Sequence, residues 1–375
     1  MRLNDTITIG RLFGIRFAVS FSWFIIFFLV AFSLGTGYFP TQYPAWPAAL
    51  ALLAGAAASL LFFGCVLLHE LAHSIVAIHN KIAVRSITLF LFGGVSHISA
   101  DAPTPRIEFA IALAGPLASL AMAALLGAAS LVLGGERDLI GGLCFWLAGV
   151  NLTLGVFNLV PGFPLDGGRL LRALVWLAAD DFRWATRVAT GAGQLASLTL
   201  VAAGIYLVVG TRFTLNGVWI ALIGWFLFNS ASANYQGMVV LQLLDRLRVS
   251  DVMRPDPPVI DANTSLETLA EELLNNPSRD PQVVVREGQV VGLVGHRELR
   301  RLGVARFRTM SVGDAMVRLQ PTQIFDPQGP AAKALQVLLE GALEALPVVE
   351  DGKIVGLIRS DDLMRVIEIR RRLGR

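Results

Sequence analysis

The sequence predicts a polytopic α-helical membrane protein. It has about six transmembrane helices and a membrane-embedded β segment, followed by a smaller α/β unit. Three observations carry this. Of 375 residues, 54% are hydrophobic and 16% charged, and mean hydropathy is +0.62, whereas soluble domains carry roughly 25% charged residues. The charge deficit is uneven: Glu70 is the only formal charge in residues 17–80, while residues 245–375 are charged like an ordinary soluble domain. Finally, the chain after residue 248 repeats itself. These features predict a transmembrane domain over 1–240 and a second domain over 241–375. A net charge of +3 is too small to imply a nucleic-acid partner.

Taken in order, the candidate spans are 17–35, 48–78, 107–133, 139–160, 188–209 and 216–236, each near the roughly 20 residues a crossing needs. The first run begins after Arg16 and has no small-residue cleavage site before the next span. It is expected to stay as an anchor and not to be removed as a signal peptide. Between the second and third spans, KIAVRSITLFLFGGVSHISAD is rich in Val, Ile, Phe and Ser and broken by Gly93-Gly94. Residues 82–99 therefore read as β-like. Strands with open edges cannot face lipid, so this segment must pack on protein or line a cavity.

One set of loops holds Arg2, Arg11, Arg16, Lys81, Arg85, Arg106, Arg169, Arg172, Arg183 and Arg187; the other holds Arg137 and Arg212. Ten against two predicts a cytosolic amino terminus in the cell membrane. With six spans the second domain is cytosolic too. Cys65 and Cys144 lie in apolar runs and offer neither a disulfide framework nor a thiolate metal site.

The second span ends in His69-Glu70-Leu71-Ala72-His73, after an uncharged run from Ala48 to Leu68. On a helix, positions i and i+4 share a face. Two imidazoles so placed grip one zinc ion, and the glutamate beside them can take a proton from its water. A catalytic zinc takes three protein ligands and keeps one position open. His79, His97, Asp101, Glu108 and Asp166 are the candidates near membrane depth for the third. Glu108 opens the third span on the same side, so depth does not exclude it. The surroundings favour Asp166: in FNLVPGFPLDGGR (157–169) an apolar span is broken by Pro161 and Pro164 and followed by Gly167-Gly168. Broken helices persist in membranes where they line a cavity or pack on protein. His79 reads as interfacial, His97 sits in the β segment with a loop role expected for it, and Asn151 reads as helix-packing glue.

HExxH in an early span with NLVPGFPLDGGR in a later one resembles the site-2 protease family of intramembrane zinc metalloproteases. The resemblance covers residues 1–240 and implies hydrolysis of peptide bonds within or next to transmembrane helices. It implies one Zn2+ per chain, with His69, His73 and Asp166 as ligands and Glu70 as the base. It also sets Asn158 near the active site, where an amide donor would serve the developing oxyanion. ALAGPLAS (112–119) resembles the family's motif in the third span, with Ser119 where Asn is frequent, and the GGV loop (93–95) resembles its β segment. Partners implied are a transmembrane protein substrate, such as an anti-sigma factor or another membrane-held regulator, and membrane lipid.

In the second domain VSDVM (249–253) matches VGDAM (312–316), and QVVVREGQVVGLVGHREL (282–299) matches LPVVEDGKIVGLIRSDDL (346–363). Each copy reads as strand, helix, two strands around a Gly turn, helix. The pair, about 249–305 and 312–372, is similar to tandem cystathionine-β-synthase (CBS) domains. That resemblance implies an adenine nucleotide in the cleft, with Asp362 contacting it, and a homodimer through these domains. Arg359 stands where the family's ligand pattern has Thr.

The competing expectation is a CBS-regulated ion transporter or channel using the HExxH and LDGG cluster as an ion site. The sequence has no inverted repeat and no further intramembrane charges to form a path.

Overall fold

The computed structural model describes residues 6–91, 93–99, 101–134, 138–211, 214–245, 247–275, 281–302, 307–341 and 343–372. Arg2, Arg137 and Arg212, Phe92 in the β segment, and residues 276–280 and 303–305 of the first repeat lie outside the described residues. The chain divides into two compact units, Met1–Tyr235 and Gln236–Arg375.

The first unit opens with β1 (Thr6–Leu12) and β2 (Ile15–Ser20), then α1 (Phe21–Ser33), a π turn, α2 (Phe39–Gln42) and α3 (Ala48–His79). Next come β3 (Val84–Phe90), β4 (Gly93–Ile98), α4 (Pro105–Val132), α5 (Leu139–Asn158), α6 (Asp166–Ala179), α7 (Phe182–Gly210) and α8 (Thr214–Asp245), whose residues from Gln236 on fall in the second unit. Among the described residues six segments are long and apolar enough to cross a membrane: Phe21–Gln42, Ala48–His79, Pro105–Val132, Leu139–Asn158, Phe182–Gly210 and Thr214–Gly237. Their apolar side chains point outward; Leu131, Val132 and Val209 are all more than 80% exposed. In water such a surface would aggregate, whereas lipid solvates it. The chain is a multi-pass membrane protein.

Three boundaries differ most from the sequence expectation, one of them the end of the first span, which a π turn and α2 carry on to Gln42 and not to residue 35. The first span starts at Phe21 and not at residue 17, because residues 15–20 are strand β2. Phe13 and Gly14, at φ 52° and 78°, make the two-residue turn that joins β1 to β2 with Leu12 opposite Ile15. The fifth span starts six residues earlier than expected, at Phe182, where Asp181 caps it by accepting from the N–H groups of Arg183 and Trp184.

The β segment is larger than predicted. The four strands form one sheet in the order β1-β2-β3-β4, with β2 parallel to β3 and β4 antiparallel to it. Its apolar face packs on α3 and α4: Ile15, Phe17, Val84 and Ile87 bury against Ala77 and Ile111. Truncating fully buried Ile87 to Ala would cost about 2–5 kcal/mol. β4 pairs only with β3, so among the described residues its outer edge is unpaired.

Between α5 and α6 the chain is broken at Pro161 and Pro164, and the Phe163–Pro164 peptide is cis. The Phe163 N–H donates to Ala189 O of α7 at 3.2 Å. A Cβ on Gly167 would collide with the backbone of Leu159 and Val160, and one on Gly168 with that of Gly162. The paired glycines let the broken segment lie directly on the first turn of α6.

The second unit contains β5 (Arg254–Pro255), β6 (Val259–Asp261), α9 (Leu266–Asn275), β7 (Gln282–Arg286), β8 (Gln289–Val294), α10 (His296–Arg301), α11 (Val312–Ala315), β9 (Val317–Arg318), α12 (Ala331–Gly341), β10 (Ala345–Glu350), β11 (Lys353–Arg359) and α13 (Ser360–Arg372). Its sheets run β6-β7-β8-β9 and β10-β11-β5. β5, near the start of the first repeat, pairs with β11 of the second, and β9, near the start of the second, pairs with β8 of the first. This exchange, with Val283 and Leu293 packed against Ala345 and Leu357, makes the two repeats one folding unit.

Candidate metal centre

α3 carries His69 and His73 one turn apart, both 4% exposed. Their Nε2 atoms lie 3.2 Å apart. Oδ2 of Asp166 is 3.1 Å from the first and 3.2 Å from the second. Asp166 arrives from the far side of the broken segment, as the first residue of α6. There the helix N-terminus favours an ionised carboxylate.

One face of α4 completes the shell through Ile111, Gly115 and Ser119, each four residues apart. His73 Nδ1 sits 2.6 Å from the carbonyl of Ile111. A carbonyl only accepts, so Nδ1 carries the proton, and in a neutral ring Nε2 is then the atom that can ligate a metal. Ser119 Oγ lies 2.8 Å from His69 Nδ1 and can set the same tautomer by accepting. Gly115 stands between them. A Cβ there would lie 2.6 Å from His69 Nε2 and closer still to His73 Nε2. α4 thus leaves a gap where the ligand atoms meet.

Two imidazole nitrogens and a carboxylate oxygen, converging within 3.2 Å of one another with both histidines buried, fit a divalent zinc ion. Among the described residues this is the only such cluster.

Glu70 adjoins the ligands on α3. Ser96 Oγ of β4 donates to its Oε2 at 2.6 Å, and a Cβ on Gly94 of β4 would stand 2.6 Å from its Cγ. β4 therefore holds the glutamate from one side. The sequence marks Ser119 only as a departure from the third-span motif and gives no signal at Ser96; neither hydroxyl carries a role until the segments pack.

The other candidates lie elsewhere. Glu108 is fully buried but spent on Arg172, whose Nε donates to its Oε1 at 2.7 Å. The Arg172 guanidinium lies over the rings of Phe163 and Phe182, at 5.2 and 4.7 Å. This pair ties α4 to α6, the helix that begins with Asp166. His79 ends α3, Asp101 is exposed in a loop, and His97 lies in β4, not in a loop. Asn158 ends α5, half-buried, and its amide makes no hydrogen bond among the described residues. Asn151 donates to Leu147 O within its own helix. Asp362 is held by Arg254 through two bonds of 2.7 and 2.8 Å.

A two-histidine, one-carboxylate centre with an adjacent glutamate, inside a bundle of membrane-crossing helices, defines a membrane-bound metallopeptidase. Comparisons with known proteins agree. The profile of peptidase family M50 matches residues 57–142 and 137–202, and that of the CBS domain matches 249–304 and 312–369. Rip3 of Mycobacterium tuberculosis, which is named as a zinc metalloprotease, is 36% identical over 98% of this chain and 94% of its own length. A protein of Synechocystis with the same kind of name is 30% identical over 98% of this chain and 96% of its own. The solved site-2 protease from Methanocaldococcus jannaschii is 28% identical, covering 61% of this chain and 95% of that one at a TM-score of 0.43. The chain belongs to peptidase family M50, the site-2 proteases, and is a zinc metalloprotease carrying a tandem CBS pair. The ion-transporter expectation is thereby set aside.

Proposed function

We propose that this protein cuts membrane-held regulatory proteins, anti-sigma factors among them, within or next to their transmembrane helices, and so releases a signal. The observation that carries this is the His69–His73–Asp166 cluster, with both histidines buried and half-buried Glu70 beside it, among helices able to cross a membrane. His69, His73 and Asp166 hold the zinc ion, which supplies Lewis acidity and lowers the pKa of a water to about 7. Glu70 takes the proton of the attacking water and delivers it to the amine nitrogen as the C–N bond breaks. Ser96 fixes one carboxylate oxygen, leaving the other for the proton. Asn158 donates its free amide to the oxygen of the carbonyl as it turns tetrahedral. A helical peptide bond is shielded, so the substrate must unwind locally. The free edge of β4, beside Glu70, suits an added extended strand.

The amino terminus and the CBS pair are cytosolic in this reading, on the strength of the ten-to-two distribution of basic residues. The CBS pair is a regulatory module that binds an adenine nucleotide near Asp362 and joins two copies of the chain. The test of the physiological role is a strain carrying Glu70→Gln. A membrane-held regulator should accumulate uncut there; if no membrane protein differs in length from wild type, the signalling role is wrong.

A further inference from the structure

The two repeats line an open cleft of about 1000 Å³, a size suited to a small ligand. Arg297, Arg300 and Arg301 of α10 line it together with Arg359 from the end of β11, and His296 sits beside them. The three α10 arginines follow i, i+3, i+4 spacing, so like charges share one helix face and repel. Two carboxylates also line the cavity, Glu344 and Asp361. Arg359 lies 3.1 Å from Asp361, and Arg297 4.0 Å from Glu344. Among the described lining residues four arginines less two carboxylates leave +2 with His296 neutral. Among the described residues neither Arg300 nor Arg301 has an ion pair. A concentrated excess of this sign draws anions, and guanidinium forks match phosphate oxygens two at a time.

The groups expected to read an adenosine are engaged elsewhere. Arg254 grips Asp362. At the corresponding position of the first repeat, Glu298 accepts from the Gly295 N–H at 3.0 Å. Arg359 replaces the expected Thr with a further cation.

We infer that this cleft binds an oligophosphate through its phosphate charge, with no specific contact to ribose or base. The inference rests on reading the CBS pair as a ligand-binding regulatory module, and it changes what that module senses. Inorganic oligophosphate and the phosphate chain of a nucleotide share the chemistry, and calorimetry on the full chain in neutral-lipid nanodiscs, without magnesium, separates them. The probes are tripolyphosphate, ATP and adenosine at one ionic strength. Tripolyphosphate and ATP should bind within about fivefold of each other and adenosine should give no heat. The Arg300→Gln/Arg301→Gln variant, altered only at exposed positions, should weaken both by about tenfold or more. ATP binding a hundredfold tighter than tripolyphosphate, or adenosine binding alone, overturns the inference while leaving the nucleotide reading intact. Tripolyphosphate binding that the double variant does not weaken moves the site elsewhere and overturns it. No binding of any probe overturns both.

Discussion

Gly115→Ala adds a single methyl group to the centre. Its Cβ would stand 2.6 Å from His69 Nε2, where ordinary contact begins at 3.4 Å. The difference, 3.4 − 2.6 = 0.8 Å, is the retreat required of the ring or of α4. His73 Nε2, closer still, must move further. Zinc–ligand distances tolerate only about ±0.2 Å, so the three ligand atoms can no longer meet one ion. The same change favours the helix itself, since Gly to Ala in a helix interior gains up to about 1 kcal/mol in propensity. The variant should therefore stay folded and lose zinc. Purified in nanodiscs, it should hold well under 0.1 zinc per chain by elemental analysis, a loss of about a hundredfold or more in affinity. Its metal-free melting should stay close to that of metal-free wild type. One zinc per chain in a folded, active Gly115→Ala variant would refute the placement of the ion between α3 and α4.

Other substitutions separate the roles of the surrounding groups. Ser96→Ala removes a hydrogen bond to a charged carboxylate, worth about 1.5–3 kcal/mol; kcat should fall about tenfold to a hundredfold with zinc content unchanged, and Ser96→Thr should restore most of it. Ser119→Ala should weaken zinc binding by about tenfold to a hundredfold, read by competition with a chelator, because His69 loses the partner that fixes its tautomer. Arg172→Leu leaves Glu108 charged and buried, at a cost of about 3–5 kcal/mol, and the double change Glu108→Leu/Arg172→Leu should recover much of that in a melting assay. Chelation should abolish cleavage by wild type, and added zinc should restore it.

The cluster that the structure brings together, with the glutamate beside it, was legible in the sequence. His69, Glu70 and His73 sit at helical spacing, and Asp166 follows a proline-broken span whose glycines are needed for close backbone approach. What was hidden depends on packing across distant segments. Residues 17–20 continue the apolar run of α1, so hydropathy alone could not separate strand β2 from the span that follows. Only their burial against α3 and the pairing of β2 with β3 distinguish them. Glu108 and Asp166 looked alike in depth. Arg172, sixty-four residues beyond Glu108, removes the former from contention. Ser96 and Ser119 are ordinary hydroxyls until β4 and α4 fold against α3. In the CBS pair the repeat was plain, but the exchange of β5 and β9 and the tie between Arg254 and Asp362 span both copies.

The most direct measurement is the cleavage of a purified transmembrane substrate by wild type and by Glu70→Gln, with zinc counted in both. With Glu70 as the base and His69, His73 and Asp166 as the ligands, both proteins carry one zinc per chain and only wild type cuts. Cleavage by Glu70→Gln at the wild-type rate, or cutting by a wild-type protein that holds no zinc, would contradict it.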